Sequence, residues 1–243
     1  MTKIYGHRGS KGDYPENSML AFKKAIESGV TGMEFDIHMA KDGELVVIHD
    51  ATLDRTTNGV GFIKDFTIDD IKKFSIGEKY TEFGNYDVSW NDELVPALDE
   101  VLELCKNHDL EVNIELKTYE VSYPGIEEAA LRAVGKSGYD PEKVVYSSFH
   151  LPTILRIKKI KPDAKIAWLV ENFIPMVDDY METFSLDAIH VDKKLVFGQP
   201  RYWQQFAKKL RVWTVNDEHE MKELIGLDVE AIITDYPQMA KNL

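Results

Sequence analysis

Apolar residues recur along this chain in two alternating rhythms. Short β-rich runs, such as KIYG at residues 3–6, are followed by stretches with apolar positions three and four apart. The first such stretch, PENSMLAFKKAIESG, places Met19, Leu20, Phe22, Ala25 and Ile26 on one helical face. Pro15 stands where a helix start tolerates proline, with Asn17 or Ser18 as its cap, and Gly29 where a helix end favours glycine. GMEFDIHM and LVVIHD flank Asp42-Gly43, a strong hairpin signal. Strand-like runs then centre on Ile114, Val145, Ala167, Ile189, Trp213 and Ile232. Helical patterns between them fall at Leu98–Lys106, Ile126–Lys136, Pro152–Ile160, Met176–Phe184, Tyr202–Leu210 and Glu218–Leu224. With Ile4 and Glu34, and setting aside the hairpin return at Val47, this makes eight strand–helix units.

Eight such units in 243 residues predict an α/β fold, a (β/α)8 TIM barrel formed as a single domain over residues 1–243. A doubly wound open sheet is the competitor, but GHRGSKG is not its glycine-rich phosphate fingerprint. Residues 51–96 break the rhythm, with one modest helical piece near Ile68–Phe74, and read as an insertion after the second strand.

Charge narrows the partners. The formal net charge is −13, from 29 Lys and Arg against 42 Asp and Glu. That argues against nucleic acid and against anionic membrane surfaces, while leaving room for a small anionic substrate in a locally positive site. The single cysteine, Cys105, cannot form an internal disulfide, and MTKIYGHRG lacks the apolar stretch of a signal peptide. A cytoplasmic protein without a stable membrane anchor is expected.

In a barrel the chemistry sits at the carboxyl ends of the strands. Glu34 and Asp36, two apart on one strand, share a face, as do Glu115 and Lys117. Three carboxylates among apolar neighbours are most simply explained by a hard divalent cation such as Ca²⁺ or Mg²⁺. A salt network with Arg8 and Lys117 is the other reading. His7 and His49 both close strand-like runs and face one mouth, which suits an acid/base pair. The remaining five histidines read as structural. Arg8 and Lys117 offer fixed positive charge suited to a phosphate. This set is expected for phosphoryl-ester cleavage.

HRGxxxxxPENS, then MEFDIHMAKDGELVVIHD and NIELK, resembles the glycerophosphodiester phosphodiesterases of the bacterial cytoplasmic type, with Ser18 where their motif usually has Thr. Weaker similarity continues at VVYSSF, VWTVN and IITDYP. The resemblance implies a TIM barrel with a small subdomain, residues 54–94, inserted after strand two. It implies His7 and His49 as general acid and base, Glu34, Asp36 and Glu115 as ligands of one Ca²⁺ or Mg²⁺, and Arg8 and Lys117 on the phosphate. Phe149 and Trp213 would line the glycerol side. The reaction implied is hydrolysis of a small glycerophosphodiester, such as glycerophosphocholine or glycerophosphoethanolamine, to sn-glycerol 3-phosphate and an alcohol. Two rivals remain: cleavage of lysophospholipids on the same barrel, and a barrel that binds phosphorylated ligands without turning them over.

Overall fold

The computed structural model describes Met1 to Leu243, apart from the side chains of Lys241 and Asn242. Apolar runs form β1 (Lys3–His7), β2 (Gly32–Met39) and the short β3 (Leu45–Val47). They are followed by β4 (Glu111–Leu116), β5 (Val144–Ser148), β6 (Lys165–Val170), β7 (Ala188–Asp192), β8 (Leu210–Trp213) and β9 (Ala231–Thr234). All but β3 pair in parallel, in the order β1-β2-β4-β5-β6-β7-β8-β9. Pairing of β1 with β9 closes the ring, so the expected (β/α)8 barrel is the observed fold. β3 returns antiparallel on β2, with Gly43 in the turn at φ +86°.

Helices α1 (Met19–Glu27), α2 (Ile68–Ile71), α3 (Leu98–Asn107), α4 (Ile126–Ser137), α5 (Leu151–Ile160), α6 (Val177–Thr183), α7 (Lys193–Gly198), α8 (Pro200–Gln204) and α9 (Glu218–Gly226) complete the chain. Their apolar faces cover the outside of the strands. Phe22 on α1 meets Phe35 on β2 edge-on at 5.9 Å, both fully buried. Alternate strand positions face the barrel axis, where Tyr5 packs with Ala231 and Ile233, and the small Val145, Ala167 and Ala188 pack together. Near the strands' amino ends Arg211 is buried against the Tyr5 hydroxyl at 3.0 Å and Glu230 at 2.7 Å.

Three local expectations shift. The first helix begins at Met19 rather than at Pro15, because the Ser18 hydroxyl accepts the Ala21 N–H at 3.0 Å and so caps it. Asn17 is turned into the left-handed region at φ +56° and does not cap. The piece at Ile68 is a single turn, and the pattern at Tyr202–Leu210 splits into α8 and a 3-10 turn at Ala207–Lys209. α7, between β7 and α8, has no counterpart in the sequence pattern.

Between β3 and α3 the chain is irregular, with short 3-10 turns at Ile63–Asp65, Gly77–Lys79 and Val88–Asp92. It builds a small core of its own from Leu53, Ile63, Ile71, Ile76 and Val95, against Ala40, Val46 and Ile48. Phe66, Phe74 and Tyr80 pack on that core, and buried Trp90 gathers Tyr14, Phe83 and Tyr86. Phe62 does not join them and stays 47% exposed.

Candidate active site

β1 ends in a tight turn. Arg8 and Gly9 lie in the left-handed region, at φ +52° and +83°. For Arg8 this is a strained backbone, and it is held from two sides. The Arg8 N–H donates to the Glu34 carbonyl and to Glu34 Oε2, while its carbonyl accepts the Asn17 N–H. Gly9 is obligatory here, since a Cβ would come within 2.6 Å of the Ala21 carbonyl carbon.

On β2 and β4, Glu34, Asp36 and Glu115 converge. Each offers an oxygen, all within 4.8 Å of one another, and all three residues are buried. Asp36 stands in register with Glu115, which explains why spacing on two separate strands produces one cluster. Burial pushes the Glu34 carboxyl well up, and the charges of Asp36 and Glu115 add to that. Glu115 is raised mainly by burial, against the pull of Lys117. Burial acts on Asp36 too, but Arg8, Lys117 and His49 outweigh it and hold that carboxyl well below the usual range.

Two cations reach the cluster. Arg8 Nε lies 3.1 Å from Asp36, and Lys117 lies 2.9 Å from Glu115 and 3.6 Å from Asp36. The salt-network reading is therefore partly realised, yet it does not balance. Arg8 also serves Glu16 at 2.8 Å, and among the described residues the side-chain nitrogen that stands within 4.0 Å of the Glu34 carboxylate is that of His7, Nε2 at 3.9 Å, not one of a Lys or Arg. Asp36 Oδ1 is a buried acceptor with no hydrogen bond among the described residues. Three oxygen donors with surplus negative charge and an unsatisfied buried oxygen fit a hard divalent cation.

The two expected histidines flank this cluster, and both carry a partner that the sequence did not single out. His7 Nδ1 donates to Asp235 at 2.5 Å, and Asp235 is itself held by Asn216 at 2.7 Å. His49 Nδ1 donates to Asp50 at 2.6 Å. Each ring thus has Nδ1 tied to a carboxylate and Nε2 turned elsewhere: His7 Nε2 toward Glu34, His49 Nε2 to Lys117 Nζ at 3.1 Å. Burial, followed by the Arg8 charge, lowers His7 to about 4 despite Asp235. Burial raises Asp235, but the His7 hydrogen bond prevails and brings it to about 2. Among the remaining histidines, His38 holds the backbone at the second ring, with Nε2 bonded to the His49 carbonyl at 2.9 Å.

Glu16 and Arg55 are further residues missed from the sequence. Arg55 grips Glu16 through both terminal nitrogens, at 2.9 and 2.8 Å, and also binds Asp50. Arg8, Glu16, Arg55, Asp50 and His49 therefore form one chain of charge-assisted bonds from the first strand's turn to the second histidine. Asn17, expected at a helix cap, instead donates its amide to Asp36 Oδ2 at 3.0 Å.

Phe149 and Trp213 meet edge-on at 5.6 Å. Both line a cleft of about 290 Å³ with His7, Arg8, Glu34 and Lys117. A second cavity of about 920 Å³ adjoins it and shares His49, Glu115, Lys117 and Phe149. No helix among the described residues is long and apolar enough to cross a membrane.

A closed parallel barrel with a charged cleft at the carboxyl ends of its strands defines the TIM-barrel class of proteins. The model of the glycerophosphoryl diester phosphodiesterase family matches residues 7–239. A glycerophosphodiester phosphodiesterase of Caldanaerobacter subterraneus is 40% identical over all of this chain and 97% of its own length. One from Bacillus altitudinis is 36% identical over 99% of this chain and 97% of its own. The crystal structure of a glycerophosphodiester phosphodiesterase from Agrobacterium tumefaciens superposes with a TM-score of 0.81 at 26% identity, covering all of both chains. The chain belongs to the glycerophosphodiester phosphodiesterase family.

Proposed function

We propose that this protein hydrolyses small glycerophosphodiesters to sn-glycerol 3-phosphate and an alcohol, with His7 and His49 as the acid/base pair. The observation that carries this reading is the matched pair of histidines. Each has Nδ1 fixed by its own carboxylate, and the two stand on either side of one buried carboxylate trio. A histidine held in this way offers Nε2 for proton transfer and changes charge at little reorganisation cost. One ring takes a proton from the attacking water or neighbouring hydroxyl; the other returns one to the leaving oxygen.

Glu34, Asp36 and Glu115 would hold one Ca²⁺ or Mg²⁺. Bound there, such a cation would polarise a phosphoryl oxygen and offset developing negative charge. Lys117, and Arg8 from the turn after β1, present positive charge to the phosphate from the same cleft. Trp213 and Phe149 give that cleft an apolar wall for the glycerol carbons. Residues 54–94 are best read as an inserted subdomain, which lends Arg55 to the site. The family membership and the 40% identical relative of the same name support this reading. The unpaired, buried Cys105 fits a cytoplasmic location.

Product analysis with glycerophosphocholine and added Ca²⁺ or Mg²⁺ tests it. His7→Ala and His49→Ala should each lower kcat by roughly 10²–10⁴-fold. Variants with near-normal turnover would overturn the assignment.

A further inference from the structure

The two adjoining cavities divide the site. The smaller one holds His7, Arg8, Glu34 and Trp213; the larger opens beyond His49; Lys117 lines both. A phosphodiester has two arms on one phosphorus. With the phosphate at Lys117 and the glycerol arm toward Trp213, the second arm must enter the larger cavity. This division rests on the proposed hydrolysis.

The larger cavity has a distinct chemistry. Phe62, Tyr119 and Trp168 give it aromatic walls and Glu120 a carboxylate, while Phe149 and Glu171 stand on its boundary with the smaller cleft. Trp168 is fixed in place: its indole N–H reaches the Phe149 carbonyl at 3.3 Å and its ring lies 5.5 Å from Tyr180. The other charged groups lining the cavity are already engaged, Asp50 by Arg55 and His49, and Glu115 by Lys117. Glu120 and Glu171 are exposed and form no ion pair among the described residues. Unpaired negative charge beside aromatic rings attracts cations and repels anions. The geometry points to a leaving-alcohol subsite selective for a cationic, ammonium-bearing head group, with anionic and polyhydroxy alcohols disfavoured.

The test compares glycerophosphocholine with glycerol phosphate esterified to 3,3-dimethylbutanol, the neutral carbon isostere of choline, and with glycerophosphoinositol. The charged substrate should lead its isostere by about tenfold or more in kcat/KM, the scale of one desolvated cation–π contact. Trp168→Leu and Glu171→Gln should each shrink that ratio several-fold, because the isostere keeps the shape and lacks the charge. Equal kcat/KM for charged and neutral esters, or unchanged ratios in both variants, would overturn the proposal. In parallel, choline chloride alone is titrated into wild type and Trp168→Leu by NMR saturation transfer. Choline binding that depends on Trp168, with no diester turned over, would retain the subsite and remove the hydrolysis reading. Turnover without a charge preference would do the reverse.

Discussion

His7 Nδ1 and Asp235 Oδ1 lie 2.5 Å apart, although 228 positions separate them in the chain. They meet because β1 and β9 are hydrogen-bonded neighbours at the seam of the barrel. Asp235 fixes the tautomer of His7 as well as its orientation. Replacing it with Asn keeps the size and removes the charge. Asp235→Asn should lower kcat by about 10²-fold with a much smaller change in KM, since proton transfer suffers before binding does. Steady-state kinetics with a circular-dichroism check of folding would show it; an effect confined to KM would count against the role.

The carboxylate trio should respond to metal even without turnover. Ca²⁺ or Mg²⁺ at a hundred times its Kd should raise stability by about 2.7 kcal/mol, read as a higher Tm, and a chelator should reverse it. Glu34→Gln should remove the metal-dependent rise. Without metal the same variant should be at least as stable as wild type, because burial and its two carboxylate neighbours already disfavour charge at Glu34. A metal-induced rise of normal size in Glu34→Gln would rule the site out.

Much of this was legible in the sequence, for reasons that differ from residue to residue. Glu34, Asp36 and Glu115 stood out because carboxylates two apart on an apolar strand share a face, and barrel topology places neighbouring strand ends at one mouth. Asp235 carries no mark of partnership in the sequence, since its pairing with His7 across the seam is set by closure of the ring, and Asp50, though next to His49, gives no sign that its carboxylate folds back onto the ring. Glu16 and Asn17 were hidden by their position. Just before an apolar periodic stretch they looked like a helix start, whereas the Ser18 cap delays the helix and turns both toward the site. Arg55 lies in the irregular segment, where no periodicity fixes direction.

Protons should also act on the fold. His190 is fully buried on β7, and neither ring nitrogen has a hydrogen bond among the described residues. Burial, then the Arg211 charge, holds its pKa well below the ordinary value. Its contribution is complete above pH 6.5 and is lost as pH falls, because only the unfolded chain then takes up the proton. The loss should reach about 1 kcal/mol between pH 7 and 5.5. Thermal melts across that window should show His190→Phe losing less than wild type; parallel curves would argue against it.

Gly9 should tolerate no side chain. Gly9→Ala places a methyl against the α1 backbone in a left-handed conformation, and about 2–4 kcal/mol should be lost. Urea midpoints would measure it. A cost under 0.5 kcal/mol would mean that the turn after β1 is looser than it stands here.

The seam between β1 and β9 also ties a proton-carrying pair to closure of the ring. Glu34, Asp36 and Glu115 lie on the neighbouring strands β2 and β4, whereas the imidazole of His7 meets its carboxylate only across the pairing that closes the barrel. A chain in which β9 parts from β1 would therefore lose the carboxylate partner of His7 while β2 and β4, which carry the acidic cluster, stay paired with each other.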